Sequence, residues 1–207
     1  MSGAAPEVKA VVSDLGDVFV RVDLGVFHRR LAGRSGLTPD EVRARLWDED
    51  AWARYQRGDV STEALVAWAS RKLGVAISTD EFVREWCGIF PGLVDGIADL
   101  YRRVKARGVA LHAFSNTNAP HVACLTRRFP EMALFERVFA SHELRARKPE
   151  REAYLKVISA LGLAPAECVF VDDDPANVEA AREVGMRAVL AEGTPSVEAG
   201  LRAMGVI

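Results

Sequence analysis

Five short apolar runs, separated by longer stretches with helical periodicity, set the strongest limit on how this chain can fold. The runs are VKAVVS (8–13), VALHAF (109–114), RVFA (137–140), CVFV (168–171) and RAVL (187–190). Short continuous apolar runs between helical segments are typical of strands that are buried on both faces. Because strands alternate with helices, we predict an α/β fold with a parallel sheet covered by helices on both faces.

One connecting segment, LVDGIADLYRRVKARG (93–108), shows the helical periodicity clearly. Its apolar residues fall on one stripe of a helix, and Gly108 then provides an end signal. The stripe consists of Leu93, Ile97, Leu100, Tyr101 and Val104.

The interval 21–90 contains no convincing strand and several helix starts. Thr38 and Ser78 are each followed three residues later by glutamate, which predicts two capping boxes. We therefore predict a core domain made of 1–20 and 91–207, with a helical cap domain, 21–90, inserted after the first strand. All four tryptophans lie in the insert, and we interpret them as packing residues of a small helical core rather than as a substrate wall. They are Trp47, Trp52, Trp68 and Trp86.

Composition narrows the range of partners. The 207 residues carry a net charge of −2 with acidic and basic residues interspersed, which does not favour binding to nucleic acid or to a membrane surface. The start MSGAAPEVKA does not resemble a secretion signal, no apolar run is long enough to span a bilayer, and the three cysteines show no disulfide pattern. We expect a cytoplasmic protein, and nothing in the sequence indicates an oligomeric state.

Polar residues follow three of the predicted strands, at the point where each strand ends. Ligands of parallel α/β sheets bind beyond the carboxyl ends of the strands, so these side chains should meet at one edge. Lys148, in RARKPE, is predicted to begin the helix after the third strand and to reach the same edge. The residues that follow the strands are Asp14 after the first, Ser115, Asn116 and Thr117 after the second, and Asp172, Asp173 and Asp174 after the fourth.

Any one of these aspartates could be an ordinary helix cap or turn residue. Asp174 precedes Pro175, which is the pattern of an N-cap with proline at the first helical position, and we exclude Asp174 from the site. Several carboxylates in one pocket repel each other, and one lysine cannot offset them, so a divalent cation such as Mg²⁺ is the expected compensation. An anion such as phosphate could then lie between the cation, Lys148 and the donors of Ser115 and Asn116.

These segments, in this order, resemble the haloacid dehalogenase superfamily of aspartate-nucleophile phosphohydrolases. The matching motifs are DLGDV, SNT, KP and DDDPANVEAA, and together they cover nearly the whole chain. The resemblance implies a Rossmann-like core. The position of the helical insert is similar to that in the capped subclass I phosphatases, in which a helical cap closes over the active site.

The resemblance also implies roles for individual residues. Asp14 would attack phosphorus and form an aspartyl phosphate, which water then hydrolyses. Ser115 and Asn116 would hold the phosphoryl group, and Lys148 would neutralise the negative charge of that group and of the Asp14 carboxylate. Asp173 would bind Mg²⁺ together with Asp14 and the backbone carbonyl of Gly16, and Asp172 would orient Lys148 or metal-bound water. The implied substrate is a small-molecule phosphate ester, such as a sugar phosphate.

Gly16 departs from the pattern of most family phosphatases, which have a second aspartate two residues after the nucleophile. That aspartate protonates the leaving group and activates water, a contribution of ~10²- to 10⁴-fold. Without it, turnover should be slow. Asp17, the next residue, could replace the missing acid, but we favour a turn role for it.

Two other readings remain open at this point. One is a metal-free 2-haloacid dehalogenase of the same superfamily, in which Asp14 would attack carbon; Asp172 and Asp173 would then lack compensation. The other is a non-catalytic phosphate-binding relative, which the loss of the acid at Gly16 motivates.

Overall fold

The structure, a computed structural model, describes residues 6–207 and contains one five-stranded parallel sheet. Its strand order is β3-β2-β1-β4-β5, so the first strand lies in the centre. All five predicted strands are confirmed, as is the α/β Rossmann-like class. The strands are β1 (Ala10–Ser13), β2 (Ala110–Ser115), β3 (Arg137–Ala140), β4 (Cys168–Asp172) and β5 (Arg187–Leu190).

Eleven α-helices are present in the described part of the chain. Among these residues, no helix combines the length and the apolar character that a membrane crossing requires. Five helices precede β2 within the insert: α1 (Leu24–Ser35), α2 (Pro39–Leu46), α3 (Glu49–Gln56), α4 (Thr62–Leu73) and α5 (Thr79–Cys87). The others are α6 (Ile97–Ala106), α7 (Ala119–Arg128), α8 (Ser141–Leu144), α9 (Arg151–Leu161), α10 (Pro175–Glu183) and α11 (Thr194–Ala203).

Helices cover both faces of the sheet. On one face, Val11 and Leu111 belong to a cluster of buried side chains that includes residues of α6 and α11 and continues into the insert. On the other face, Val12 and Phe170 belong to a second cluster with residues of α9 and α10. Burial on both faces explains why the strands are continuous apolar runs rather than alternating ones.

Two helices of the insert, α2 and α5, begin at the capping residues that the sequence predicts. The Thr38 and Ser78 hydroxyls accept hydrogen bonds from the backbone N–H groups of Glu41 and Glu81, and each glutamate side chain accepts one from its cap residue's N–H. Both capping boxes are therefore confirmed. The division into a core domain (1–20 and 91–207) and a cap domain (21–90) stays a prediction, consistent with five successive helices between Leu24 and Cys87.

Two details of the sequence-based prediction are wrong. Helix α6 begins only at Ile97, and Leu93 instead forms an isolated bridge with Val20. Gly96, in the left-handed region at φ 76°, separates the two, so the periodic pattern is longer than the helix it marks. Lys148 does not begin a helix either: a short helix, α8, follows β3, and Lys148 lies in the loop before α9.

The insert also contacts the core through a loop that follows α3. The guanidinium of Arg57 pairs with the carboxylate of Glu150, the residue just before α9. Beside it, Gly58 has a φ of 74°, and a Cβ at this position would lie 2.6 Å from the backbone oxygen of His142. A glycine is needed here because both the backbone conformation and the close approach exclude a side chain.

Candidate active site

The carboxyl ends of the central strand β1 and of its neighbour β4 bring Asp14 and Asp172 side by side. Ser13 pairs with Val171 in the register of β1 and β4, and the N–H of Asp14 donates to the Val171 carbonyl oxygen at 2.8 Å. Asp173 follows directly. Carboxylate oxygens of Asp14, Asp172 and Asp173 all lie within 4.8 Å of one another. The predicted meeting of these acids at one edge is therefore what the structure has.

The three carboxylates differ in what they are free to bind. Asp172 is fully buried, and its Oδ1 accepts hydrogen bonds from the Asp174 N–H at 2.9 Å and from Asn177 Nδ2 at 3.0 Å. Its Oδ2 lies 2.5 Å from Lys148 Nζ. Asp173 is exposed instead. Both oxygens of Asp172 are therefore engaged by protein donors, whereas Asp173 can offer an oxygen to a ligand.

Lys148 is buried between two of the acids. Only 1% of its side chain is exposed, and Nζ lies 2.9 Å from Asp14 Oδ1 as well as 2.5 Å from Asp172 Oδ2. Burial opposes its charge, but Asp14 and Asp172 together raise the pKa of Lys148 above its usual value. The lysine is therefore a fixed positive charge at the edge of the sheet.

Asn116 holds the backbone that carries this lysine. Its Nδ2 donates to the carbonyl oxygen of Lys148 at 2.8 Å, and its Oδ1 accepts from the N–H of Lys148 at 2.8 Å. The side-chain amide is thus used to position Lys148, so the backbone N–H of Asn116 is the donor that it could offer to an anion. Sequence reasoning missed this positioning role, since no spacing pattern links residues 116 and 148.

Burial changes the titration of the acids. Desolvation raises the pKa of Asp14 to about 6, an effect that Lys148 opposes and the charge of Asp172 reinforces. Asp173 is exposed, but partial desolvation, with the nearby charge of Asp172, also raises its pKa. Raised pKa values in neighbouring carboxylates show that their negative charge is poorly solvated, and a bound cation would stabilise it.

The turn after β1 determines the positions of Gly16 and Asp17. Asp17 has a φ of 51°, in the left-handed region, and its Oδ1 accepts a hydrogen bond from the Val22 N–H at 2.9 Å. Its side chain therefore stabilises the turn, which is the role that the sequence analysis favours for Asp17. The Gly16 carbonyl accepts from the Val18 N–H at 2.7 Å, and a carbonyl oxygen has a second lone pair for another partner.

Two helix caps lie near the site, and the one at Asp174 is predicted from the sequence. Asp174 Oδ1 accepts from the Ala176 N–H at 2.8 Å, which confirms an N-cap before Pro175. Asn118 caps α7 by accepting from the His121 N–H at 3.1 Å. These side chains are explained by helix capping.

A cavity of about 910 Å³ opens beside the acids, between the sheet edge and the insert. Gly16, Ser115 and Asn116 line it on the sheet side, and Arg147 lines it too. Arg147 was not singled out from the sequence, although it stands directly before Lys148. Asn177, whose Nδ2 donates to Asp172 Oδ1, lies inside the DDDPANVEAA motif, and the motif by itself does not indicate this contact.

The tryptophans divide between packing and lining. Trp47, Trp52 and Trp86 line the cavity, and Trp47 is 74% exposed. Trp68 is not among the lining residues; it packs edge-on against Trp52 with ring centroids 6.3 Å apart. The interpretation of all four as core packing is therefore wrong for Trp47, whereas Trp52 and Trp86 pack against the core and also line the cavity. The area that a small helical core must bury does not show which rings also face a cavity.

The family model for haloacid dehalogenase-like hydrolases matches residues 8–185. The chain belongs to this family. The match extends from β1 to the end of α10, so it includes every residue of the acidic cluster and Lys148. The resemblance read from the four motifs is confirmed.

Curated relatives of this haloacid dehalogenase-like hydrolase include phosphatases. The chain is 37% identical over 108 residues to Protein CbbY of Rhodobacter capsulatus, across 51% of this chain and 46% of that protein. It is 29% identical over 109 residues to the phosphoglycolate phosphatase of Salmonella paratyphi A, across 53% of this chain and 42% of that protein. The matched regions thus span less than half the length of these relatives.

Solved structures of the family share the fold. The HAD family enzyme BT-2542 of Bacteroides thetaiotaomicron, solved as a magnesium complex, superposes with a TM-score of 0.81 at 20% identity. The superposition covers 91% of this chain and 95% of that one. At this identity the likeness concerns the fold of the haloacid dehalogenase-like hydrolase.

Proposed function

We propose that this hydrolase is a Mg²⁺-dependent phosphatase that cleaves a phosphate monoester through an aspartyl phosphate on Asp14. The observation that carries the proposal is the arrangement at the centre of the sheet. Asp14 directly follows the central strand, Lys148 Nζ lies 2.9 Å from its Oδ1, and an oxygen of Asp173 lies within 4.8 Å of the Asp14 and Asp172 oxygens. A nucleophile, a cation and a metal-ligating acid are thus within reach of one phosphoryl group.

The residues present fit a Mg²⁺ ion. Among the described residues, Asp14 Oδ1 is buried and has no hydrogen bond of good geometry, although Lys148 lies beside it. Asp14, Asp173 and the Gly16 carbonyl would hold the ion, and Asp172 is excluded because protein donors occupy both its oxygens. All three ligands are oxygens, which Mg²⁺ prefers. When bound, the ion would offset negative charge on the phosphoryl oxygens.

The chain's own groups account for the two chemical steps. In the first, a carboxylate oxygen of Asp14 forms a bond to phosphorus while the bond from phosphorus to the ester oxygen breaks, and the departing alkoxide takes a proton from water. In the second, a water oxygen bonds to phosphorus and the bond from phosphorus to Asp14 breaks, which regenerates the carboxylate and releases inorganic phosphate. The proton that this water loses neutralises the hydroxide left by the first step. Splitting the displacement in this way replaces one difficult step by two easier ones.

Positive charge and N–H donors stabilise the phosphoryl group in both steps. Asp172 binds the Lys148 ammonium, and the Asn116 side chain binds the Lys148 backbone. The ammonium is therefore already in place and does not have to move during the reaction. The Ser115 hydroxyl and the Asn116 N–H are the proposed phosphoryl donors. Arg147, which lines the same cavity, is a further candidate for contact with a phosphoryl oxygen.

The substrate is proposed to be a small phosphorylated metabolite. Residues of the insert and of the sheet edge line one cavity, which has the size of a small-molecule site and would suit an insert that acts as a cap. Relatives named as phosphatases, including the phosphoglycolate phosphatase, support the class of reaction.

The proposal is tested by assaying the purified protein on a panel of phosphate monoesters with Mg²⁺ and with a chelator. We expect Mg²⁺-dependent release of phosphate that is lost in Asp14→Asn, which keeps the size of the side chain but removes the nucleophile. Asp17→Asn is the matched control, because its amide oxygen can still accept from Val22. It should retain activity.

Two outcomes would point elsewhere. Hydrolysis of a 2-haloacid in the presence of chelator would indicate the dehalogenase reading, and no phosphate release from any ester would indicate a non-catalytic relative. Unchanged phosphatase activity in Asp14→Asn would refute the assignment of the nucleophile.

A further inference from the structure

We propose that the substrate's leaving group is large and mainly apolar, rather than a sugar. The inference rests on the proposed function for the phosphate end of the site, and it concerns the remainder of the cavity. What carries it is the difference between the two sides of that cavity. The sheet edge is polar, whereas the insert supplies aromatic and aliphatic side chains.

The cavity is larger than a phosphate needs. Its volume is about 910 Å³, near the upper end of the range of about 300–1,000 Å³ for small-molecule sites. Ser115, Asn116 and Thr117 lie where the phosphate would bind. The rest of the lining includes the apolar residues Phe27, Trp47, Trp52, Trp86, Ile89 and Phe90, with polar residues such as His28, Glu49 and Gln56 among them.

The aromatic wall is held in place by stacking. Trp52 and Trp86 stack with ring centroids 4.9 Å apart at 25°, and Trp86 stacks on His121 at 4.7 Å and 19°. Phe27 and Phe90 pack edge-on against Trp86 and His121 respectively. Because neighbouring rings fix one another, the wall is preorganised for an apolar group and little freedom is lost on binding.

The mouth of the cavity exposes apolar side chains. Only three large hydrophobic residues are strongly exposed in the described chain: Leu24, Trp47 and Leu155. Two of them, Leu24 and Trp47, line this cavity. Exposed apolar residues gathered at a cavity mouth, rather than scattered, indicate a surface that a ligand covers.

Charged residues of the insert do not make the cavity a sugar site. Arg43 lies 3.7 Å from Asp40 and Arg29 lies 3.3 Å from Asp23, so part of the charge of each guanidinium is offset by a carboxylate of the insert. A sugar buries several hydroxyls, and each costs free energy unless a polar group replaces its water. Along the aromatic wall the Trp52 Nε1–H already donates to the Leu46 carbonyl oxygen, which leaves the Trp86 Nε1–H as a buried donor without a partner among the described residues, too few groups for the several hydroxyls of a sugar.

Binding of non-hydrolysable phosphonates tests the inference without relying on turnover. Dissociation constants are measured by calorimetry, with Mg²⁺, for ethylphosphonate and for 2-(naphthalen-1-yl)ethylphosphonate. We expect the naphthyl compound to bind at least about tenfold more tightly, the lower end of what apolar pockets contribute. Trp47→Ala, at an exposed position, should weaken that compound by about three- to tenfold and leave ethylphosphonate unchanged.

Leu155→Ala is the matched control, since it removes another exposed apolar side chain at a position that does not line the cavity. It should leave the preference for the naphthyl compound intact. Equal affinity for the two phosphonates, tighter binding of the phosphonate analogue of glucose 6-phosphate than of the naphthyl compound, or no effect of Trp47→Ala would overturn the inference.

Hydrolysis of the matching esters separates this inference from the proposed function. Ethyl phosphate and 2-(naphthalen-1-yl)ethyl phosphate both release primary alcohols, so leaving-group basicity is comparable and kcat/KM reports the apolar contact. Preferential binding of the naphthyl phosphonate without hydrolysis of either ester would refute the phosphatase and uphold the ligand class. Hydrolysis of both esters at equal kcat/KM would support the phosphatase and refute the apolar leaving group.

Discussion

A single lysine ammonium allows two buried carboxylates to share the centre of this fold. Lys148 contacts both Asp14 and Asp172, yet the pocket still holds one negative charge more than it holds positive, before Asp173 is counted. The remaining imbalance is what makes a divalent cation the natural partner. It also means that the charge of each residue in the cluster is set by its neighbours.

Restoring the missing acid is the sharpest change at the scale of one residue. Gly16 has no positive φ, and a Cβ there would meet only Val22 Cγ2, at an ordinary 3.5 Å. Gly16→Asp should therefore fold normally. Because it would return a proton donor beside the ester oxygen, we expect kcat on alkyl phosphates to rise by about tenfold or more, with a smaller gain on aryl phosphates. Steady-state kinetics on both ester types provide the measurement.

Gly33→Asp controls for the added charge, because Gly33 is exposed on α1 and a Cβ there has nothing within 4 Å. It should leave kcat unchanged. A fall in kcat for Gly16→Asp, in protein that is folded and binds Mg²⁺, would contradict the view that only the acid is missing.

Residue identities in the site were predictable, but their orientations were not. Asp14, Lys148, Asp172 and Asp173 follow strands or lie in quoted motifs, and the parallel topology requires them to meet. The side chain of Asn116 turns back onto the Lys148 backbone, a contact that depends on the path of a loop 32 residues further along the chain. Sequence patterns describe neighbours along a strand or helix and carry no such information.

At the scale of elements, local signals gave the helix starts of the insert correctly. A capping box is satisfied within four residues, so its formation needs no knowledge of the fold. The end of a periodic pattern is less informative. Leu93 continues the stripe of α6 in sequence, but Gly96 adopts a φ of 76° and the helix begins only afterwards.

Removing one cap should weaken the insert by a predictable amount. Ser78→Ala deletes the hydroxyl that accepts from the Glu81 N–H, and we expect the free energy of unfolding to fall by about 1 kcal/mol. Thr79→Ala, one position into the same helix, lacks this bond and should change it by far less. Urea denaturation of both variants provides the comparison, and equal losses would show that the cap is not the source of the effect.

At the scale of the whole molecule, one histidine joins the insert to the core. His121, on α7, stacks on Trp86 of α5 and its Nε2 lies 3.3 Å from the Trp86 carbonyl oxygen. Burial lowers the pKa of His121 to about 3. The imidazole is therefore neutral in the folded protein, and a proton on it would have to be accommodated inside the contact between the two parts.

Stability should accordingly depend on pH through this residue. The unfolded chain binds a proton at His121 near pH 6.5, whereas the folded chain does so only near pH 3, so the contribution is lost as pH falls through this window. One such proton corresponds to about 1.4 kcal/mol per pH unit. His121→Phe keeps a ring in the stack and removes the titration. Between about pH 6 and pH 4, its unfolding free energy should fall less steeply than that of the wild type, by about 1 kcal/mol per pH unit. Parallel pH profiles in urea denaturation would contradict this.

The sheet order and the cavity are the properties that the sequence did not reveal. Alternation of strands and helices requires a parallel sheet, but the placement of β1 between β2 and β4 depends on how all the helices pack. The cavity likewise depends on contacts such as the approach of Gly58 to the His142 carbonyl, which seats the insert against the core. Such features are sums over many elements.

The cavity has a floor from the sheet edge and a wall from the insert, and these come from different stretches of chain. Under the proposed function, exchange of wall residues would retune which ester is accepted while the phosphorus chemistry stays as it is. A combinatorial library that varies only the insert residues lining the cavity should therefore yield new substrate specificities while the catalytic residues stay unchanged.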